Sequence, residues 1–226
     1  MHVVMVAKYP FPGVPTTGGV ERVVEILRRN VAKHAKVTLL VPNAMTPMNF
    51  EDEAGAISYL EAPSVPDFLG YWSVTSKALY ERIEKLRPDI VHVQDLAGLA
   101  FSWPRGVDVP WRRLVFTTHG LLDKDIMSQS AHDWLRKASA PFRAWLISAV
   151  ERRSRARYDH HVVINDYVLS SLPDLQRMSW RSIANPVDRV FLDEPRNERA
   201  SGSHYELLQV GVVNPRKNTL SAIEII

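Results

Sequence analysis

Seven short apolar runs punctuate this chain: His2–Ala7, Val37–Val41, Ile57–Glu61, Ile90–Val93, Leu114–Thr118, His161–Ile164 and Leu207–Val213. They are rich in Val, Ile and Leu without strict alternation, the pattern of strands covered on both faces, as in a parallel sheet. Amphipathic segments lie between them. Val20, Val23, Val24, Leu27 and Val31 recur at helical spacing, and Glu21, Arg22, Glu25, Arg28 and Arg29 fill the opposite face. Val74, Ala78, Leu79, Ile83 and Leu86 mark a second helix, ending before Pro88. A longer helix carries Trp134, Leu135, Ala138, Phe142, Trp145, Leu146, Ala149 and Val150, with Pro141 expected to kink or split it. This alternation predicts an α/β fold, a doubly wound parallel sheet with helices on both faces. In that architecture ligands bind beyond the carboxyl ends of the strands.

The first strand end is the most distinctive. The loop YPFPGVPTTGGVER carries Gly18 and Gly19 to the start of the first helix, with Thr16 and Thr17 available as caps. Without Cβ atoms, the paired glycines let a ligand approach the backbone. The helix start also presents unpaired N–H groups and the positive end of the helix dipole. The arrangement suggests a phosphate-bearing ligand, although a Gly-Gly pair also serves a tight turn with no ligand. The loop is neither a G-x-G-x-x-G fingerprint nor a Walker loop, since no Gly-Lys-Ser/Thr follows.

Composition narrows the remaining possibilities. The absence of cysteine excludes disulfides and thiolate metal sites. A net charge of +3 is compatible with an anionic substrate or membrane surface and does not argue for nucleic acid. No run approaches the roughly 18 apolar residues of a membrane span, and the N-terminus reads as a core strand rather than a secretory leader, so a cytoplasmic protein is expected. Residues 1–186 read as one domain and residues 187–205 as a polar linker. Residues 206–226 read as the first strand and partial helix of a second domain.

Six segments line up along the chain: PFPGVPTTGGVERVV, RPDIVHVQD, LVFTTHG, VERRSRARYDHHVVIN, SIANPVDRVFL and LLQVGVVNPRKNTLSAIEI. In their order they resemble the retaining family 4 glycosyltransferases, which pair two Rossmann-like domains across a cleft in the GT-B fold. The resemblance implies that the first domain mostly holds the acceptor and the second a nucleotide-diphosphate sugar. On this resemblance, Gly18 and Gly19 match the family's Gly-rich loop, which meets the donor phosphate and acceptor. His119 matches the His of the T-x-H-G strand beside the transferred sugar, and Asn185 the Asn of the N-G-V-D segment. Pro186 replaces the following Gly, which changes that turn. Lys217 matches the Lys that neutralises the donor diphosphate. Arg216 is a substitute for the Arg that the family often places where Val212 stands. The family's Glu-x7-Glu donor segment does not occur before Ile226, so the fragment is expected to be inactive alone. Neither a metal nor another cofactor is implied.

The other candidates are weighed one by one. His92 lies within its strand and reads as structural, whereas Gln94 and Asp95 at the strand end are positioned to touch an acceptor. His160 and His161 begin a strand and have little to suggest a ligand role. Arg152, Arg153, Arg155 and Arg157 form a basic run that reads either as a solvated helix end or as a contact to anionic lipid or a lipid-linked acceptor. The partners expected are therefore a nucleotide-sugar donor, a carbohydrate or lipid-linked acceptor and an anionic membrane surface. Two alternatives stand beside the glycosyltransferase. One is a non-catalytic carbohydrate-binding module of the same fold. The other is a nucleotide-dependent oxidoreductase, disfavoured because Pro42-Asn43 follows the second strand where a ribose-binding acid would sit.

Overall fold

The computed structural model describes residues 1–44, 46–61, 75–101, 113–129 and 134–193. Two compact units divide the chain: Met1–Leu121 with Ser148–Pro186, and Leu122–Ile147 with Val187–Ile226.

The first unit is built on an eight-stranded sheet. Its strands are β1 (His2–Val6), β2 (Lys36–Ala44), β3 (Met48–Asp52), β4 (Gly55–Glu61), β5 (Ile90–Gln94), β6 (Arg113–Thr118), β7 (His160–Val163) and β8 (Trp180–Ser182). They are ordered β3-β4-β2-β1-β5-β6-β7-β8. Every neighbouring pair is parallel except β3 with β4. The order turns outward on either side of β1, which is the doubly wound arrangement. The expected apolar runs all form strands where the structure describes them. Val4, Val6, Val91 and Val93 are buried at the centre of the sheet, so both faces are covered there.

Helix α1 (Gly19–Val31) packs Val24, with Val20, Leu27 and Val31, onto Val3, Met5, Val37 and Leu39. One member of its expected polar face behaves otherwise. Arg28 is fully buried, and its guanidinium forms two hydrogen bonds to the Asp52 carboxylate at the end of β3. This paired fork ties α1 to the β3–β4 hairpin, and pairing is what makes a buried charge tolerable. The hairpin turns through Gly55 at φ +109°, where a Cβ would lie 2.3 Å from the Val37 carbonyl oxygen. Thr16 and Thr17 do not cap α1. Gly18 is the cap residue, and the Glu21 side chain bonds back to its N–H.

Helix α2 (Thr75–Leu86) precedes β5, and a 3₁₀ turn at Asp95–Phe101 follows it. That turn lies hard against β6: a Cβ on Gly98 would lie 2.5 Å from the Phe116 ring. The Ser154 and Tyr158 hydroxyls both donate to the Gly98 carbonyl. A short helix α5 (Asp166–Ser171) follows β7, and Asn165 Oδ1 caps it by accepting from the Val168 N–H.

Helix α3 (Leu122–Gln129) lies in the second unit, and helix α4 (Trp134–Arg155) begins there and ends in the first. Helix α4 is a single element through Pro141 rather than two. Its buried positions include Ala140, Ala144 and Ile147, whereas Phe142 and Trp145, expected in the core stripe, are each 65% exposed. Apolar residues occupy more than one face of this helix, so periodicity alone did not fix its orientation. Within the segment expected to be a linker, Val190–Asp193 forms one helical turn, α6. The expected second-domain strand and helix lie outside the described residues.

Candidate active site

Parallel pairing brings the carboxyl ends of β1, β5, β6, β7 and β8 to one edge of the sheet, and the sequence-derived candidates gather there. Gly18 and Gly19 follow β1. Gln94 ends β5 and Asp95 leaves it, His119 follows β6, and Asn185 follows β8. Asp95 adopts φ +47°, a left-handed conformation uncommon outside glycine, so the chain turns sharply away as β5 ends.

The register of β5 and β6 sets Gln94 opposite Thr117. Side chains two residues apart share a face of a strand, so His92 and Gln94 lie on the same face as Thr117. His119 follows directly. The result is a connected polar chain. Thr117 Oγ1 lies 2.7 Å from His92 Nε2, and Gln94 Nε2 lies 3.0 Å from that same nitrogen. Gln94 Oε1 accepts from His119 Nε2 at 2.8 Å. Gln94 is buried, and its amide is engaged at both ends. Sequence reading treated His92 as structural and Gln94 as an acceptor contact. The period-two spacing of H-V-Q and T-T-H, once the two strands are set side by side, is the signal that joins them.

Burial dominates the electrostatics. It pushes the His119 pKa down to about 4, and the polar side chain of nearby Asn185 opposes the shift. Burial also takes His92 down to about 4, and the nearby His119 adds to the effect. Both rings are therefore neutral at pH 7. His119 Nδ1 is buried without a hydrogen-bond partner, whereas Asn185 is exposed beside the ring.

At β1 the picture differs from an open anion cradle. The Glu21 carboxylate accepts from the backbone N–H groups of Thr17 and Gly18, both at 3.2 Å. Space remains at Gly19, where a Cβ would meet nothing within 4 Å. The loop between β1 and α1 folds back onto β4. Phe11 stacks on Tyr59 with ring centroids 4.8 Å apart, and the Tyr59 hydroxyl donates to the Pro10 carbonyl at 2.6 Å. This loop and the hairpin flank a solvent-open pocket of about 330 Å³, lined by Tyr9, Phe11, Glu25, Phe50 and Asp52 among others.

Of the basic run, Arg155 is not available to a headgroup. It is buried and paired with Asp174 at 2.8 Å, which corrects the expectation of four exposed cations. Arg152, Arg153 and Arg157 are exposed. Arg216 and Lys217 lie outside the described residues. No described helix is long and apolar enough to cross a membrane. Among the described residues, no three His, Asp or Glu side chains form a group that could hold a metal ion.

The family model described as Glycosyltransferase Family 4 matches residues 17–190, spanning the Gly-Gly loop, the polar chain and β8. This chain belongs to glycosyltransferase family 4. Solved structures agree on the fold. The chain is similar to a sucrose-phosphate synthase from Thermosynechococcus elongatus, with 12% identity, TM-score 0.50, and 83% of this chain and 90% of that one covered. It is similar to an E. coli protein described as trehalose-6-phosphate bound with UDP-2-fluoro glucose, with 11% identity, TM-score 0.50 and 85% of this chain covered. It is also similar to the glycotransferase of kitacinnamycin, with 16% identity, TM-score 0.50 and 92% of this chain covered. The chain spans 50% of the second of these and 60% of the third. A comparison with curated proteins found no match. This family 4 chain thus has the architecture of the N-terminal part of a GT-B glycosyltransferase.

Proposed function

We propose that the chain is the acceptor-side part of a glycosyltransferase that moves a sugar from a nucleotide-diphosphate donor to a carbohydrate or lipid-linked acceptor with retention. The observation that carries this reading is His119. It is a neutral imidazole at the end of a central parallel strand, braced on one nitrogen and unpartnered on the other. Such a group suits a neutral sugar better than a charged phosphate. The bound UDP-2-fluoro glucose of the E. coli neighbour supports a nucleotide sugar as the donor class.

In this reading His119 orients a hydroxyl of the transferred sugar, and Asn185 beside it meets the acceptor. The open backbone at Gly19 receives the donor phosphate, with Lys217 and, to a lesser degree, Arg216 holding the charge that gathers on the leaving diphosphate. Retention follows if the acceptor attacks from the face that the diphosphate leaves, with the diphosphate taking the acceptor proton. No carboxylate base and no metal is then required. The exposed Arg152, Arg153 and Arg157 would suit a lipid-linked acceptor at an anionic surface.

The test is transfer by the whole protein from a panel of nucleotide-diphosphate sugars, with the anomeric configuration of the product read by NMR. A retained anomer whose formation depends on His119 is expected. An inverted product, or transfer indifferent to His119, would refute the reading.

A further inference from the structure

The polar chain between β5 and β6 assigns a proton. Gln94, 1% exposed, spans two imidazoles through a single amide. Its nitrogen faces His92 Nε2 at 3.0 Å and its oxygen faces His119 Nε2 at 2.8 Å. An amide oxygen only accepts and an amide nitrogen only donates. His119 therefore carries its proton on Nε2, and His92 accepts at Nε2. Thr117 Oγ1 lies 2.7 Å from the same His92 nitrogen and flanks the single lone pair that the amide addresses. The far end of the amide is thus held in place. What remains on the neutral His119 ring is an unprotonated Nδ1, buried and unpartnered. A nitrogen in that state accepts a hydrogen bond and disfavours a phosphate oxygen, which brings only lone pairs.

We propose that Gln94 is a positioning residue. Held by His92, it fixes His119 as the Nε2–H tautomer and so presents Nδ1 to a hydroxyl donor on the ligand. The naming of that donor as a sugar hydroxyl rests on the function proposed above; the tautomer does not. Gln94 itself touches no ligand in this arrangement and acts through His119, as outer partners of functional imidazoles commonly do.

The experiment reads the tautomer directly, by long-range proton–nitrogen NMR of the full chain labelled with ¹⁵N-histidine, at neutral pH and with no donor or acceptor added. His119 is expected as Nε2–H. A ring protonated on Nδ1 overturns the proposal, and that result needs no variant to fold. Gln94→Leu, similar in volume, is expected to abolish the preference. Gln94→Glu, which still accepts from Nε2, is expected to preserve it. An unchanged tautomer in Gln94→Leu also overturns the proposal. In the whole protein, Gln94→Leu is expected to lower kcat about tenfold or more with KM for the donor within about twofold, and Gln94→Glu to recover most of the loss. The two readings fail separately. The expected tautomer without sugar transfer removes the proposed function and leaves the role of Gln94 standing, whereas transfer by a chain with His119 protonated on Nδ1 does the reverse.

Discussion

The Glu21 carboxylate lies 3.2 Å from the Gly18 backbone nitrogen and covers the start of α1, where a donor phosphate is anticipated. An anion arriving there meets a negative charge already in place. Glu21→Gln keeps a weaker cap and removes the charge, so pyrophosphate affinity is expected to rise several-fold, within the range of a helix-terminus charge effect. Glu21→Ala is expected to cost about 1 kcal/mol of stability through loss of the cap. Isothermal titration and thermal unfolding check the two expectations. Unchanged or weaker pyrophosphate binding in Glu21→Gln would show that the carboxylate does not compete.

His119→Ala should lower kcat of the whole protein by about 10²-fold or more if the ring acts mainly in the transition state. The melting temperature should fall modestly, because the buried Gln94 Oε1 loses its donor. A large fall in melting temperature with turnover retained would make the ring a packing residue instead.

Four histidines tie folding to pH in the same direction, and one of them is His2, whose pKa burial lowers below its ordinary value. Burial holds His92, His119 and His161 at about 4, below the ordinary 6.5. Between these values the unfolded chain binds more protons than the folded one. Stability is therefore fully present above pH 6.5 and lost as pH falls toward 4, by up to about 1.4 kcal/mol per pH unit for each independent group. Chemical denaturation from pH 7.5 to 4.5 measures the slope. His161→Phe removes one proton from it and leaves the contributions of His2, His92 and His119, because both ring nitrogens of His161 are buried without partners. A flat profile would mean that these rings are charged or solvated in the folded protein.

Arg155 and Asp174 test the buried ion pair that joins the end of α4 to the segment after α5. Asp174→Ala leaves a buried guanidinium uncompensated and should cost about 3 kcal/mol. The double variant Arg155→Met/Asp174→Ala should recover much of that loss. Equal losses in the single and double variants would rule out the unpaired charge as the cause.

Lys217 and Arg216 differ in their expected weight. Lys217→Ala should lower kcat/KM of the whole protein by about 10²–10⁴, Arg216→Ala should cost less, and Val212→Arg should offset part of the Arg216 loss. Changes within about twofold in both alanine variants would remove the diphosphate site from the reading.

The sheet was legible because its central strands are continuous Val, Ile and Leu runs, which only burial on both faces explains. Strand β3, Met48–Asp52, was not legible, since four of its five residues are exposed at an antiparallel edge and its apolar alternation is only Met48 and Phe50, too short to stand out. Strand β8 is only three residues long and offers no period. The positions at the site could be read, because strand ends are visible in sequence. Their bonding could not, because the contacts linking His92, Gln94, Thr117 and His119 depend on a register between strands that no spacing along one strand reveals. Arg28 shows the same limit: its burial follows from Asp52, twenty-four residues away on the hairpin.

The hydrogen bond from Tyr59 to Pro10 has a consequence for how this protein can adapt to a substrate. The loop between β1 and α1 is tethered a third of the way along, so rearrangement is concentrated in the stretch from Gly13 to Thr17. A flap so abridged has little reach, but it has little disorder to lose on closing. Recognition at this end of the sheet then favours ligands that fit a surface already formed over those that must be wrapped.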